Sequence, residues 1–170
     1  MRAFSTSVIV ALANFAFTGL AIPIGNSLAK SRFCQNAPTT IAGTMLDRRE
    51  TDTVLWCCPH SETYVILTPT GNLTPGQVYL NLISGHNALR RRVQTSGDGP
   101  VTGGQYTWGR RDNTGVIFSA WNVNNHQLTY GVIGAAMNAL LDYMDKNVYS
   151  GASFDIYDGQ NQVGQGLISD

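Results

Sequence analysis

Residues 128–146 read LTYGVIGAAMNALLDYMDK, and this stretch decides the fold class. Ile133, Met137, Leu140 and Met144 recur at steps of four, three and four, which sets them along one face of a helix. Thr129 stands where an N-cap is needed, because its side-chain oxygen can accept an orphan backbone N–H. Gly131, Gly134, Ala135 and Ala136 are small and let the helix lie close on a sheet, while Asp142 and Asp145 fall on its solvent side. The pattern is that of a packing helix, not of a cofactor or membrane site.

On both sides of this helix the period changes to two. Downstream, Phe154 and Ile156 alternate with Asp155 and Tyr157, and residues 153–157 and 162–168 flank Asp158-Gly159-Gln160-Asn161 as a β-hairpin. Upstream, residues 114–123 (TGVIFSAWNV) carry Val116 and Phe118 on one face and Ile117, Trp121 and Val123 on the other. That suits a strand covered on both sides. Residues 105–108 complete a second hairpin with it. Thr74-Pro75-Gly76-Gln77 opens an earlier helix, with Thr74 as N-cap, Pro75 at the first position and Gln77 closing a capping box. That helix runs to about Val93, with Val78, Leu82, Leu89 and Val93 on one face and Gly85 as its weak point. Residues 53–58 (TVLWCC) and 64–68 (YVILT) read as strands. The order predicts an α+β domain over residues 53–170: an antiparallel sheet with two helices on one face. It follows the split β-α-β (ferredoxin-like) order, with an extra C-terminal edge strand.

The 170 residues carry 11 Lys+Arg and 11 Asp+Glu. This balance argues against a nucleic-acid or anionic-membrane binder, which carries a basic excess. Met1 and Arg2 precede the apolar stretch 8–22, and Ser27-Leu28-Ala29 offers small residues for cleavage. Residues 1–29 therefore read as a secretory signal peptide, cut after Ala29 or, as a second choice, after Ala21. Its apolar stretch is too short for a membrane span, and none is expected after it is removed. Residues 30–52 read as a loosely structured lead-in, with Arg48-Arg49 as a dibasic pair. Cys34, Cys57 and Cys58 all remain in the mature chain, and in an oxidising compartment they are not all expected to stay free. Cys34 with either Cys57 or Cys58 closes a loop of about two dozen residues, worth roughly 3 kcal/mol in the chain-entropy model. Asn72-Leu73-Thr74 is a glycosylation sequon.

The chemistry-bearing residues are sparse. There is no phosphate loop, nucleophile elbow or H-E-x-x-H in the sequence, and no cofactor or metal is expected. His86 and His126 with Arg90-Arg91-Arg92 would serve acid–base cleavage of RNA if the imidazoles converged. Otherwise the three arginines form the solvated C-terminal end of a helix. The expected contacts are aromatic: Tyr106 and Trp108 on the hairpin, with Arg110 and Arg111 in its loop.

The signal peptide, the few cysteines, and the runs GDGP (97–100), LTYGVIGAA (128–136) and FDIYDG (154–159) resemble small secreted proteins of filamentous fungi. The element order is also similar to certain fungal killer-toxin-like and effector folds. The resemblance covers roughly residues 64–168 and implies a secreted, effector-like or toxin-like interaction protein. Its partner would be a host or competitor protein or a surface component. The alternative expectation is a small secreted hydrolase such as a ribonuclease.

Overall fold

A computed structural model describes residues 33–34, 37–41, 53–71, 73–109 and 115–170. The expected signal peptide, Arg48-Arg49, Asn72, Arg110 and Arg111 lie outside the described residues. In chain order the strands and helices are β1 (Phe33–Cys34), β2 (Ala37–Ile41), β3 (Val54–Cys57), β4 (Thr63–Gly71), α1 (Pro75–Ser96), β5 (Gln105–Gly109), β6 (Ile117–Asn122), α2 (Tyr130–Lys146), β7 (Gly151–Asp158) and β8 (Asn161–Ser169).

Both helices follow their apolar spacing. On α2, Ile133, Met137, Leu140 and Met144 are buried, and the Thr129 hydroxyl accepts the backbone N–H of Val132. On α1, Val78, Leu82 and Leu89 are buried, with Pro75 in the first turn. The expected capping box is not formed: the Thr74 side chain makes no cap hydrogen bond, and the Gln77 N–H bonds the Thr74 carbonyl instead. Gly85 is required where it stands. A Cβ there would meet the Trp108 ring at 2.8 Å and the Met137 methyl at 3.0 Å, so the glycine makes room for the indole against α1.

The domain is α+β. Six strands form one antiparallel sheet in the order β3-β4-β7-β8-β6-β5, and α1 and α2 pack together on one face of it. That face is built in register: Val65 pairs with Ile156, Leu67 with Phe154, Ala152 with Ile168, and Ile168 with Phe118. Since all neighbours are antiparallel, β6 and β7 run parallel with β8 between them, so β6-α2-β7 is a split crossover.

One expectation is corrected here. The C-terminal strand β8 is not at an edge; it is bonded to β7 and β6 on its two sides, and the edges are β3 and β5. The cause is the hairpin. Asp158 pairs with Asn161 around Gly159, whose φ of +57° suits the first position of a two-residue turn. β8 therefore folds straight back from β7, into the gap that a parallel β6 and β7 leave.

Among the described residues, the cover on the opposite face of the sheet lies at one end. There β1, which pairs with β2, lies against β3, tied by the disulfide Cys34–Cys57. Cys34, Leu55, Cys57 and Tyr64 are buried together, with Ile66 and Tyr157 packed on them. Further along this face Trp121 and Leu167 stay exposed. β6 is thus covered by helices on one side only, not on both. No helix among the described residues is long and apolar enough to cross a membrane.

Candidate functional site

Gln77, Leu80, Asn81 and Ser84 follow one another at helical spacing along one side of α1. With Thr107, Trp108 and Gly109 of β5, and Val116 just before β6, they line a groove of about 640 Å³. The groove runs between a helix and an edge strand. Leu80 stands at its rim, 63% exposed, the most open large apolar side chain on α1.

A short polar chain holds the groove's walls together. The Asn81 side-chain N–H donates to the Val116 carbonyl at 2.7 Å and, less closely, to the Trp108 carbonyl at 3.4 Å. The Trp108 indole N–H donates to the Ser84 hydroxyl at 3.0 Å, and that hydroxyl donates to the Asn81 carbonyl at 3.0 Å. Asn81 Oδ1 is buried without a hydrogen-bond partner among the described residues. Leaving such an acceptor unpaired costs about 1–3 kcal/mol. None of the eight described lining residues is charged. These residues suit a neutral group with apolar surface.

The residues expected from sequence are scattered relative to this groove. Trp108 lines it, but its ring faces α1 instead of solvent. Tyr106 is half-buried on the same side of β5, edge-on to Phe118 and Tyr130, and burial pushes its hydroxyl pKa up to about 12. Arg92, expected at a solvated helix end, lies over the Tyr130 ring at 3.8 Å. Such a cation–π contact joins the end of α1 to the start of α2. Hydrogen bonding with Thr102 is the main cause that lowers the Tyr130 pKa.

Neither of the two described concavities brings the histidines together. His126 borders a polar concavity whose described lining is residues 122–127, in which Asn124 and Asn125 take left-handed backbone. His86 sits on α1, half-buried, and the charge it feels is that of Arg90. Cys58 is a free, buried thiol that accepts from the Asn138 amide at 3.6 Å; burial raises its pKa. Among the described residues no group of three His, Cys, Asp or Glu is placed to hold a metal. Leu80, Asn81 and Ser84 are not singled out by the sequence, and Gln77 only as part of a helix cap. On a helix their spacing is that of any solvated flank, and only the position of β5 makes it a wall.

The state of His86 gives a pH signature. Burial first, and Arg90 second, hold its pKa below the usual 6.5. The fold thus favours the neutral ring, and this stability is present above about pH 6.5 and lost as pH falls through the lowered value. His86→Gln, which stays neutral, should lose less of its urea midpoint than the parent between about pH 7 and about pH 5. Equal losses in the two proteins would refute this account.

Comparison with protein-family models, with curated proteins and with solved structures found no match.

Proposed function

We propose that the chain is a secreted, non-enzymatic binding protein that engages a host or competitor molecule through the groove between α1 and β5. One observation carries the reading: a groove whose described lining is uncharged, with a tryptophan wall and an exposed leucine at its rim, braced by Asn81 and Ser84. Exposed apolar surface beside a concavity marks a binding site more often than a bare flank does. The signal-peptide layout of residues 1–29 supports export, and the Cys34–Cys57 disulfide is compatible with an extracellular protein.

Leu80→Asp tests the groove. The site is exposed, so the variant should keep the parent's circular dichroism and urea midpoint. Placing a carboxylate at the rim should lower the activity of the purified protein on host tissue or competitor cells by about tenfold or more. Full activity in a folded Leu80→Asp protein would remove the groove from the reading. Degradation of RNA or polysaccharide by the purified parent would overturn the non-enzymatic part. The mass of protein from culture medium should correspond to a chain starting after Ala29 or Ala21; protein that stays in cells with residues 1–29 attached would overturn export.

A further inference from the structure

We propose that the groove between α1 and β5 takes an extended, uncharged peptide segment of another protein, which adds to the edge of β5 as a further strand of the sheet. This identity of the occupant rests on the groove being the binding site.

The lining places a strand edge along the groove. Thr107, Trp108 and Gly109 are consecutive, and all three line it. Consecutive side chains of a strand point to opposite faces. Here Trp108 pairs with Phe118 on the helix-facing side, its ring against Gly85 of α1, while Thr107 pairs with Ser119 on the other face. A groove on one face would meet every second residue. One that meets three in a row runs along the backbone between the faces. β5 is hydrogen-bonded to β6 on one side, and no described strand lies on the other.

Such an edge is a template for pairing. Alternate residues of a strand turn their N–H and C=O away from the neighbour they pair with, so β5, Gln105–Gly109, offers about two or three residues to a peptide laid beside it. Edges that must stay free are commonly guarded by Lys, Pro or an inward charge. Gln105-Tyr106-Thr107-Trp108-Gly109 contains none of these. The helix wall is within reach of backbone here, since the Asn81 amide donates to the Val116 carbonyl. Asn81 also leaves its Oδ1 without a partner among the described residues, an acceptor for one N–H of the peptide.

The walls set the peptide's chemistry. On a strand beside β5, every second side chain falls on the helix side, against Leu80 and Trp108. Gln77 and Ser84 flank them with neutral polar groups. A charged side chain there would lose its hydration with no opposite charge among the described lining residues. The peptide is therefore apolar at alternate positions and uncharged on the helix side. Main-chain hydrogen bonds carry much of its affinity, and the alternate side chains carry its specificity.

The test uses the full chain, disulfide intact, and a phage-displayed library of random heptapeptides. Enriched peptides should carry apolar residues at alternate positions. One of them, synthesised and methylated at one backbone nitrogen at a time, should bind about tenfold or more weakly at every second position and within about twofold of the parent at those between. Its binding should lower deuterium uptake in residues 105–109 and leave β3 unchanged. Leu80→Asp should weaken it by about tenfold. A library without binders, a methylation scan without alternation, or protection at another surface would overturn the added strand. The groove as binding site would still stand if folded Leu80→Asp protein had lost its activity. Alternating losses with full Leu80→Asp activity on host tissue or competitor cells would support the added strand and remove the groove from the function. A dimer of the free protein, protected over residues 105–109, would overturn the proposal by giving the edge to a second copy.

Discussion

Gly166→Ala should destabilise the domain by about 3 kcal/mol, the upper part of the range for overpacking a filled interior. Gly166 lies in β8 between Phe154 of β7 and Ala120 of β6, on the helix-facing side. The Phe154 ring leans across it and stacks on Phe118 at 5.4 Å. A Cβ at Gly166 would overlap that ring and stand 2.6 Å from the Ser119 carbonyl oxygen. The ring can shift only by giving up its stacking, and the carbonyl belongs to the neighbouring strand and cannot move alone. Urea unfolding should show the loss as a lower midpoint at unchanged slope. Adding Phe154→Leu, which removes the ring, should restore part of it and leave the part caused by Ser119. A change within about 0.5 kcal/mol, the range of an ordinary surface substitution, would show that the strand tolerates a side chain there.

Asp98→Ala should cost about 2 kcal/mol, which is large for an exposed carboxylate. Its Oδ1 accepts the backbone N–H of Gly131 at 2.8 Å and that of Gly99 at 2.8 Å, and its Oδ2 accepts the Thr129 hydroxyl at 2.9 Å. Thr129 in turn accepts from Val132, so one carboxylate organises the whole first turn of α2. A negative charge is also favoured at a helix N-terminus. The loop is tied down alongside: Val101 N–H donates to the Leu128 carbonyl and Tyr130 N–H to that of Gly99. Asp98→Asn keeps an acceptor for the backbone and should lose about half as much. Equal stability of Asp98→Ala and the parent would refute a capping role.

These two residues show where the sequence stops being legible. The helix of residues 130–146 is readable because its period is local, and so is the hairpin around Gly159. Thr129 is readable as a cap because its partner is three positions away. Asp98 is not, because its partner Gly131 is 33 positions distant and nothing in GDGP marks that loop as a helix cap. Gly85 reads as a weak point in its helix, and nothing marks Gly164 or Gly166 in β8. Each instead leaves room for a side chain from elsewhere: Trp108, Leu128 and Phe154. The alternation of Tyr106 and Trp108 shows that they share a face, but not which face. The groove is illegible for the same reason, since its two walls are 27 positions apart at Asn81 and Trp108.

The central place of β8 governs how the molecule can be made. β8 follows every other strand in the chain, yet it alone joins β7 to β6. While a ribosome is still adding residues 161–169, the β3-β4-β7 and β6-β5 portions have nothing to hold them together as one sheet. Both inner edges are open, and the apolar faces of two helices are already synthesised and only half covered. Closure is a single late event that waits for the most distant pairing, a slow kind of contact to form. A polypeptide halted before Asn161 would present two unpaired edges, and the nearest strand able to fill them would belong to another copy.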